Sequence, residues 1–117
     1  MRNNRSINLE KIDKVKQYID QNFQNNLSLD KIAKEFYISK YYMSREFKKN
    51  FGITINSYII NKRITLAKEL LRFTDKPISE IAQLCGINGS SYFNKTFQKN
   101  ENMTPSEYRK KWNGKPK

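Results

Sequence analysis

A chain of 117 residues that carries 23 Lys and Arg against 11 Asp and Glu, a net charge of +12, has room for one domain or two very small ones and implies an anionic partner. With no histidine, one cysteine (Cys85) and four glycines, it lacks the commonest general base, any internal disulfide, a cysteine zinc site and a phosphate-cradling glycine loop. No apolar run is long enough to cross a bilayer and no signal peptide is present, so a cytoplasmic protein with no membrane partner is expected.

The acids, among them Glu10, Asp13, Asp20, Asp30, Glu35 and Glu80, sit at helical spacings beside lysines. They read as solvated faces or helix-start charges and not as catalytic pairs. No cofactor and no enzymatic activity are expected.

The apolar periodicity is helical from end to end. Leu9, Ile12, Val15, Ile19 and Phe23 step by three or four, which predicts a first helix over about 8–24. Ser28 is placed to cap a short second helix through Phe36, with Leu27 and Ile32 as a hydrophobic staple. "YIS" makes a tight turn. Ser39 caps a third helix over about 40–50, with Ile38 and Met43 as its staple. Thr54 opens a long helix to about Phe73. Its apolar residues Ile55, Ile59, Ile60, Ile64, Leu66, Ala67, Leu70 and Leu71 cover more than one face, so it is expected to pack on several sides. Pro77 suits the first turn of a fifth helix from Ile78 to Leu84, and Gly86 suits a left-handed turn after it. Asn88 is the expected cap of a sixth helix to about Asn100. "MTPSEY" then opens a seventh, with Thr104 as cap, Pro105 in the first helical position, Glu107 closing a capping box and Met103 with Tyr108 as staple. That helix is expected to end near Asn113, before a frayed tail over 114–117.

A repeat underlies this series. Ile32, Ala33 and Ile38 fall on Ile81, Ala82 and Ile87. After one extra residue, Met43, Phe47, Lys49, Asn50 and Thr54 fall on Phe93, Phe97, Lys99, Asn100 and Thr104. Each copy is a short helix, a turn and a longer helix, which is a helix-turn-helix. The expected architecture is all-α: seven helices, a first subdomain over 8–53, a linker helix over 54–74 and a second subdomain over 75–113.

If Met43 and Phe47 face the core, the other side of the third helix carries Tyr41, Ser44, Arg45 and Lys48. The matching ridge of the sixth helix carries Ser90, Ser91, Asn94, Lys95 and Gln98. These are the side-chain types that pair with base edges in a major groove. Tyr42, beside that ridge, suits half-burial and base contact equally. A linker of this length spans about 30 Å, close to the repeat of the major groove along one side of a duplex, about 34 Å.

The strings "LSLDKIAKEFYISKYYMSREFKKNFGIT", "RITLAKELLRFTDKPISEIAQLCGI" and "SYFNKTFQKNENMTPSEYRK" together resemble the DNA-binding region of AraC/XylS-type transcription regulators, over about Leu9 to Trp112. The closing framework of Tyr92, Phe93, Phe97, Lys99 and "TPSEYR" is the most specific part. The resemblance implies two helix-turn-helix units on a linker helix, binding of double-stranded promoter DNA and activation of transcription. It implies base contacts from Tyr41, Tyr42, Ser44 and Arg45 in the first unit and from Ser90, Ser91, Asn94 and Lys95 in the second, to which position adds Lys48 and Gln98. Phosphates would be met around Ser28, Ser39 and Ser79 and by Lys40, Lys49 and Lys99.

This chain departs from the family pattern at Lys95, usually Arg, and at Asn102, usually Gly. Most members of the family carry a sensing domain, for which 117 residues leave no room, so the chain is expected to be either a short stand-alone regulator controlled by its abundance or, as the favoured reading, the C-terminal part of a longer parent regulator. That parent could be dimeric, whereas the isolated domain is expected to be monomeric. RNA polymerase is a second candidate partner. The competing function is a basic helical module for RNA, a membrane or a protein surface, although no long apolar face flanked by lysines is present to lie in a membrane interface.

Overall fold

The computed structural model describes residues 4–113, with side chains from 10 to 112. Among the described residues the regular elements are seven helices: α1 (Asn4–Asn22), α2 (Leu29–Glu35), α3 (Lys40–Phe51), α4 (Ile55–Phe73), α5 (Ile78–Cys85), α6 (Ser90–Glu101) and α7 (Pro105–Asn113). The Leu9 side chain and the tail over 114–117 lie outside the described residues. The all-α expectation holds. No described helix is long and apolar enough to cross a membrane. The chain divides into two compact units inside α4, between Ile60 and Asn61.

In the first unit, α3 packs on both α1 and α2. The core is Ile12, Val15 and Ile19 from α1, Ile32 and Ala33 from α2, Met43 and Phe47 from α3, and Ile55 and Ile59 from α4. In α1, α3 and α4 the spacing of these residues is a step of three or four, whereas α2 buries the adjacent pair Ile32 and Ala33. Phe47 is the aromatic centre, edge-on to Phe51 (4.8 Å) and to Tyr58 (5.6 Å). The Tyr58 hydroxyl donates to the Asp20 carboxylate, tying α4 to α1. Burial first, then the hydrogen bond and charge of Asp20, push the Tyr58 phenol up to about 12.

α1 runs from Asn4 to Asn22, starting earlier than expected and ending two residues sooner. The polar residues before Leu9 carry no apolar period but include no helix breaker, so the start is invisible to periodicity. At the other end the Asn22 amide donates to the Tyr18 carbonyl (2.9 Å), and Phe23 packs on the core from beyond the helix.

The caps of α2 and α3 are as read. Ser28 Oγ accepts from Lys31 N (3.2 Å) and Ser39 Oγ from Tyr42 N (3.0 Å). Thr54 Oγ1 accepts from Ser57 N (3.1 Å) at the start of α4.

The second unit buries Ile64, Ala67 and Leu71 of α4, Ile81, Ala82 and Cys85 of α5, then Ile87, then Phe93 and Phe97 of α6 and Tyr108 of α7. The five-residue step from Ile59 to Ile64 moves the buried face of α4 around the helix. That is why its apolar residues read as covering more than one side. Phe97 meets Phe93 (5.9 Å) and Tyr108 (5.6 Å). Arg109 of α7 closes the end of α4, donating from Nε to the Leu71 carbonyl (3.2 Å) and from Nη2 to the Thr74 carbonyl (3.1 Å). A cation there satisfies terminal carbonyls and opposes the negative end of the helix dipole.

The capping box of α7 is complete: Thr104 N donates to Glu107 Oε1 (2.8 Å) and Glu107 N to Thr104 Oγ1 (3.1 Å). The Thr104 N–H, then its side chain, hold the Glu107 carboxyl below the usual carboxylate range.

Two expectations are corrected here. Pro77 is the N-cap of α5, one residue before the first turn, with φ −59° and ψ 150°. Asn88 does not cap α6; Gly89 does, with φ 94° and no side-chain cap. A left-handed residue was needed at that corner, and glycine adopts it without the Cβ penalty that asparagine would meet.

The repeat extends to the backbone. In each copy a left-handed residue closes the turn after the short helix: Tyr37 (φ 56°), just beyond the C-cap Phe36, in the first and the C-cap Gly86 (φ 93°) in the second. Tyr37 N donates to Lys34 O and Ile38 N to Ala33 O; Gly86 N donates to Gln83 O and Ile87 N to Ala82 O. The longer helices likewise end on left-handed Gly52 (φ 73°) and Asn102 (φ 61°). Asn at 102 therefore keeps the conformation that glycine would take.

Two outcomes follow from these contacts. Tyr37 is 89% exposed, so its side chain contributes little packing to offset its left-handed backbone. Tyr37→Gly is expected to stabilise the fold by about 1 kcal/mol in urea denaturation; a loss of stability would show that the ring packs. For Tyr58, a folded-state value near 12 lies above the ordinary 10.0, so its bond to Asp20 stabilises fully below pH 10 and is lost as pH rises toward 12. The urea midpoint of the wild type should therefore fall more steeply across that window than that of Tyr58→Phe. Parallel curves would contradict the coupling.

Candidate nucleic-acid interface

The first unit places the ridge of α3 outward because Met43 and Phe47 are both 0% exposed and fix the inner side. Tyr41, Ser44, Arg45, Lys48 and Lys49 line one open concave surface, joined by Thr54 from the start of α4. Tyr41 is 80% exposed, a large apolar ring left in solvent. Four of the five expected base readers of this unit and one expected phosphate contact thus share a surface. Tyr42 is the exception. It is half-buried against the core, and the Arg45 guanidinium lies over its ring at 5.6 Å. Arg45 Nε also lies 3.5 Å from Glu46 Oε2, with side-chain exposures of 67% for Arg45 and 13% for Glu46.

In the second unit Phe93 and Phe97 take the buried positions of α6, and Ser90, Ser91, Asn94, Lys95 and Gln98 are all exposed. Tyr92 lies beside them, 57% exposed. The half-buried Arg63 of α4 has Cys85 and Tyr92 in its electrostatic surroundings; burial lowers its guanidinium from the ordinary value and these two neighbours oppose that.

The expected phosphate contacts divide. Lys49 lines the concave surface with Lys48, and Lys99 is its exposed counterpart in the last turn of α6. Lys40 sits at the first position of α3, its ammonium 3.3 Å from Asp30 and 5.8 Å from the Tyr41 ring centre. Asp30 lies in the first turn of α2, so an acid already occupies the positive end of that helix. The Ser28 and Ser39 hydroxyls spend their oxygens on capping. Ser79 is exposed inside the first turn of α5 and does not cap it, and Glu80 beside it pairs with Lys76 at 3.0 Å.

The sequence reading places Thr54 only at the start of the linker helix and Tyr92 only in the family framework, and neither among the expected DNA contacts. Thr54 lies beyond the end of α3, where a helical period no longer says which way a residue points. Tyr92 was findable, because the fifty-residue offset that pairs Met43 with Phe93 also pairs Tyr42 with Tyr92.

Two helix-turn-helix units, each turning a polar ridge outward on a strongly basic chain, define a nucleic-acid-binding domain of the double helix-turn-helix class. The model of a helix-turn-helix domain family matches residues 32–111. The HTH-type transcriptional regulator YijO from Escherichia coli (strain K12) is 38% identical over 98 residues, 84% of this chain and 35% of that protein. The regulatory protein SoxS from the same organism is 35% identical over 92 residues, 79% of this chain and 86% of that one. The C-terminal domain of AraT, a response regulator from Geobacillus stearothermophilus, is a solved structure at 32% identity and a TM-score of 0.84, over 86% of this chain and 84% of that chain. The chain belongs to the AraC/XylS family and is a DNA-binding domain for transcription regulation. It spans only about a third of the length of relatives such as YijO (35%).

Proposed function

We propose that this chain reads double-stranded promoter DNA through α3 and α6, each placed in a major-groove segment of one duplex. The reading divides the chain into a first helix-turn-helix subdomain over 8–53, a linker helix over 54–74 and a second subdomain over 75–113. The observation that carries it is the concave surface at α3, lined together by Tyr41, Ser44, Arg45, Lys48 and Lys49. Tyr41 offers apolar contact to a thymine methyl, and Arg45 offers a bidentate pair to guanine. Lys48 reaches base edge or backbone, and Lys49 the backbone. On α6, Asn94 and Gln98 suit adenine. Lys95 meets guanine as a point charge without the fork that arginine would bring. Ser90 and Ser91 at the helix start suit a phosphate or an adjacent base. Tyr42 acts from beneath Arg45.

Two reading helices in one chain allow the domain to bind as a monomer. The role involves no chemical step on the DNA and no cofactor. Activation of transcription, with RNA polymerase as the second partner, belongs to this reading as the consequence of promoter occupancy. One relative, AdaA from Bacillus subtilis (strain 168), is named as a bifunctional transcriptional activator and DNA repair enzyme, which supports that expectation.

Selection of bound sites from random duplexes would reveal the preferred sequence and the number of segments read. On the selected site, Arg45→Ala should lose discrimination at one base pair by about 1–3 kcal/mol. Lys49→Ala should weaken selected and random duplexes alike and reduce the salt slope by about one. An equal loss on both duplexes for Arg45→Ala would remove it as a reader, and failure to enrich any sequence would remove the proposal.

A further inference from the structure

We infer that Glu46 is a positioning residue for Arg45, and that Tyr42 and Glu46 together set how the Arg45 guanidinium is offered to a base. This rests on the reading of α3 as a recognition helix. The residues concerned form a compact set. The guanidinium has the Tyr42 ring beneath it at 5.6 Å and the Glu46 carboxylate 3.5 Å from its Nε. The Glu46 side chain is only 13% exposed, so it is largely withdrawn from solvent, whereas Arg45 is 67% exposed. Tyr42 is itself fixed, half-buried against the core of the first unit.

Adjacent helical residues do not ordinarily face one another. Here the long Arg45 side chain folds back over Tyr42 and brings its Nε edge to the carboxylate of the next residue. An exposed ion pair alone would mean little. This pair matters for what it leaves available. With Nε nearest Glu46 and the guanidinium carbon over the Tyr42 ring, the two Nη groups are left to meet a base. That end matches the O6 and N7 acceptors of guanine. Ordering the side chain beforehand lowers the conformational cost met on binding.

The second unit lacks the device. The counterpart of Arg45 is Lys95, with no fork to orient, and the counterpart of Glu46 is Thr96, with no carboxylate. The first unit alone therefore has the means for strict guanine readout at this position. A carboxylate so near a phosphate-facing ridge would by itself repel DNA, which makes its presence beside the one arginine of α3 a matter for specificity and not for affinity.

The two roles of Glu46 separate cleanly in a measurement. Glu46→Gln keeps the shape and removes the charge. Binding is measured on the selected site, on that site with each base pair replaced in turn, and on random duplex, for the wild type, Glu46→Gln, Arg45→Ala and the double variant. The inference expects Glu46→Gln to hold or raise affinity for random duplex. It also expects a threefold to tenfold loss of discrimination, about the effect of freeing one side chain, at the same base pair as Arg45→Ala. The double variant should lose no more there than Arg45→Ala alone, and Glu46→Asp should recover part of the loss. Unchanged discrimination in Glu46→Gln, or a loss at a different base pair, as direct reading of a cytosine amino group by Glu46 would give, overturns the inference. If Arg45→Ala itself loses no base-specific discrimination, the recognition-helix reading fails first.

Discussion

The burial of two side chains four residues apart on one helix governs the rest. Met43 with Phe47, and Phe93 with Phe97, are fully removed from water in their respective units. A helix with 3.6 residues per turn cannot rotate about its axis once such a pair is seated, because turning it would expose one member and drive a polar neighbour inward. Burying a phenylalanine is worth roughly 1.5–3 kcal/mol, so each pair holds its helix far more firmly than any surface contact could. The outward ridges are therefore a consequence of the core. Arg45, Ser44 and Tyr41 are presented because Met43 and Phe47 are not.

The duplication sharpens that division of labour. Inward positions match across the two copies: Ile32 with Ile81, Ala33 with Ala82, Phe47 with Phe97. So do the structural ends of the helices. Asn50 donates to the Glu46 carbonyl (2.7 Å) as Asn100 does to the Thr96 carbonyl (2.8 Å), and left-handed Gly52 and Asn102 follow at equivalent places. Outward positions differ. Tyr41, Ser44, Arg45 and Lys48 in one copy stand against Ser91, Asn94, Lys95 and Gln98 in the other. One ridge is aromatic and carries two cations; the other is amide-rich and carries one. The same scaffold thus presents two chemistries, as a protein that reads two unlike stretches of sequence requires.

Much of this is legible in the residues. Apolar spacing and cap chemistry together locate every helix among the described residues, and the caps at Ser28, Ser39 and Thr104 are legible because capping chemistry is local. What escaped the sequence depends on backbone conformation or on partners distant along the chain. The start of α1 carries no apolar signal. The corner before α6 is set by the positive φ of Gly89 (94°), a backbone conformation that cap chemistry at Asn88 does not announce. The clamp of Arg109 on the carbonyls of Leu71 and Thr74 joins residues 35 and 38 positions apart, and no periodicity announces such a pair. Nothing in the spacing of Glu46 announces that its side chain is only 13% exposed and lies 3.5 Å from Arg45 Nε.

Amide chemical-shift mapping on the labelled domain, titrated with its selected duplex, addresses the outward ridges directly. The largest changes are expected at Tyr41, Ser44, Arg45 and Lys48 and at Ser91, Asn94, Lys95 and Gln98, while α1 and the inward residues of α3 and α6 stay unmoved. Changes centred on α1 or α7, with the two ridges silent, would contradict the account.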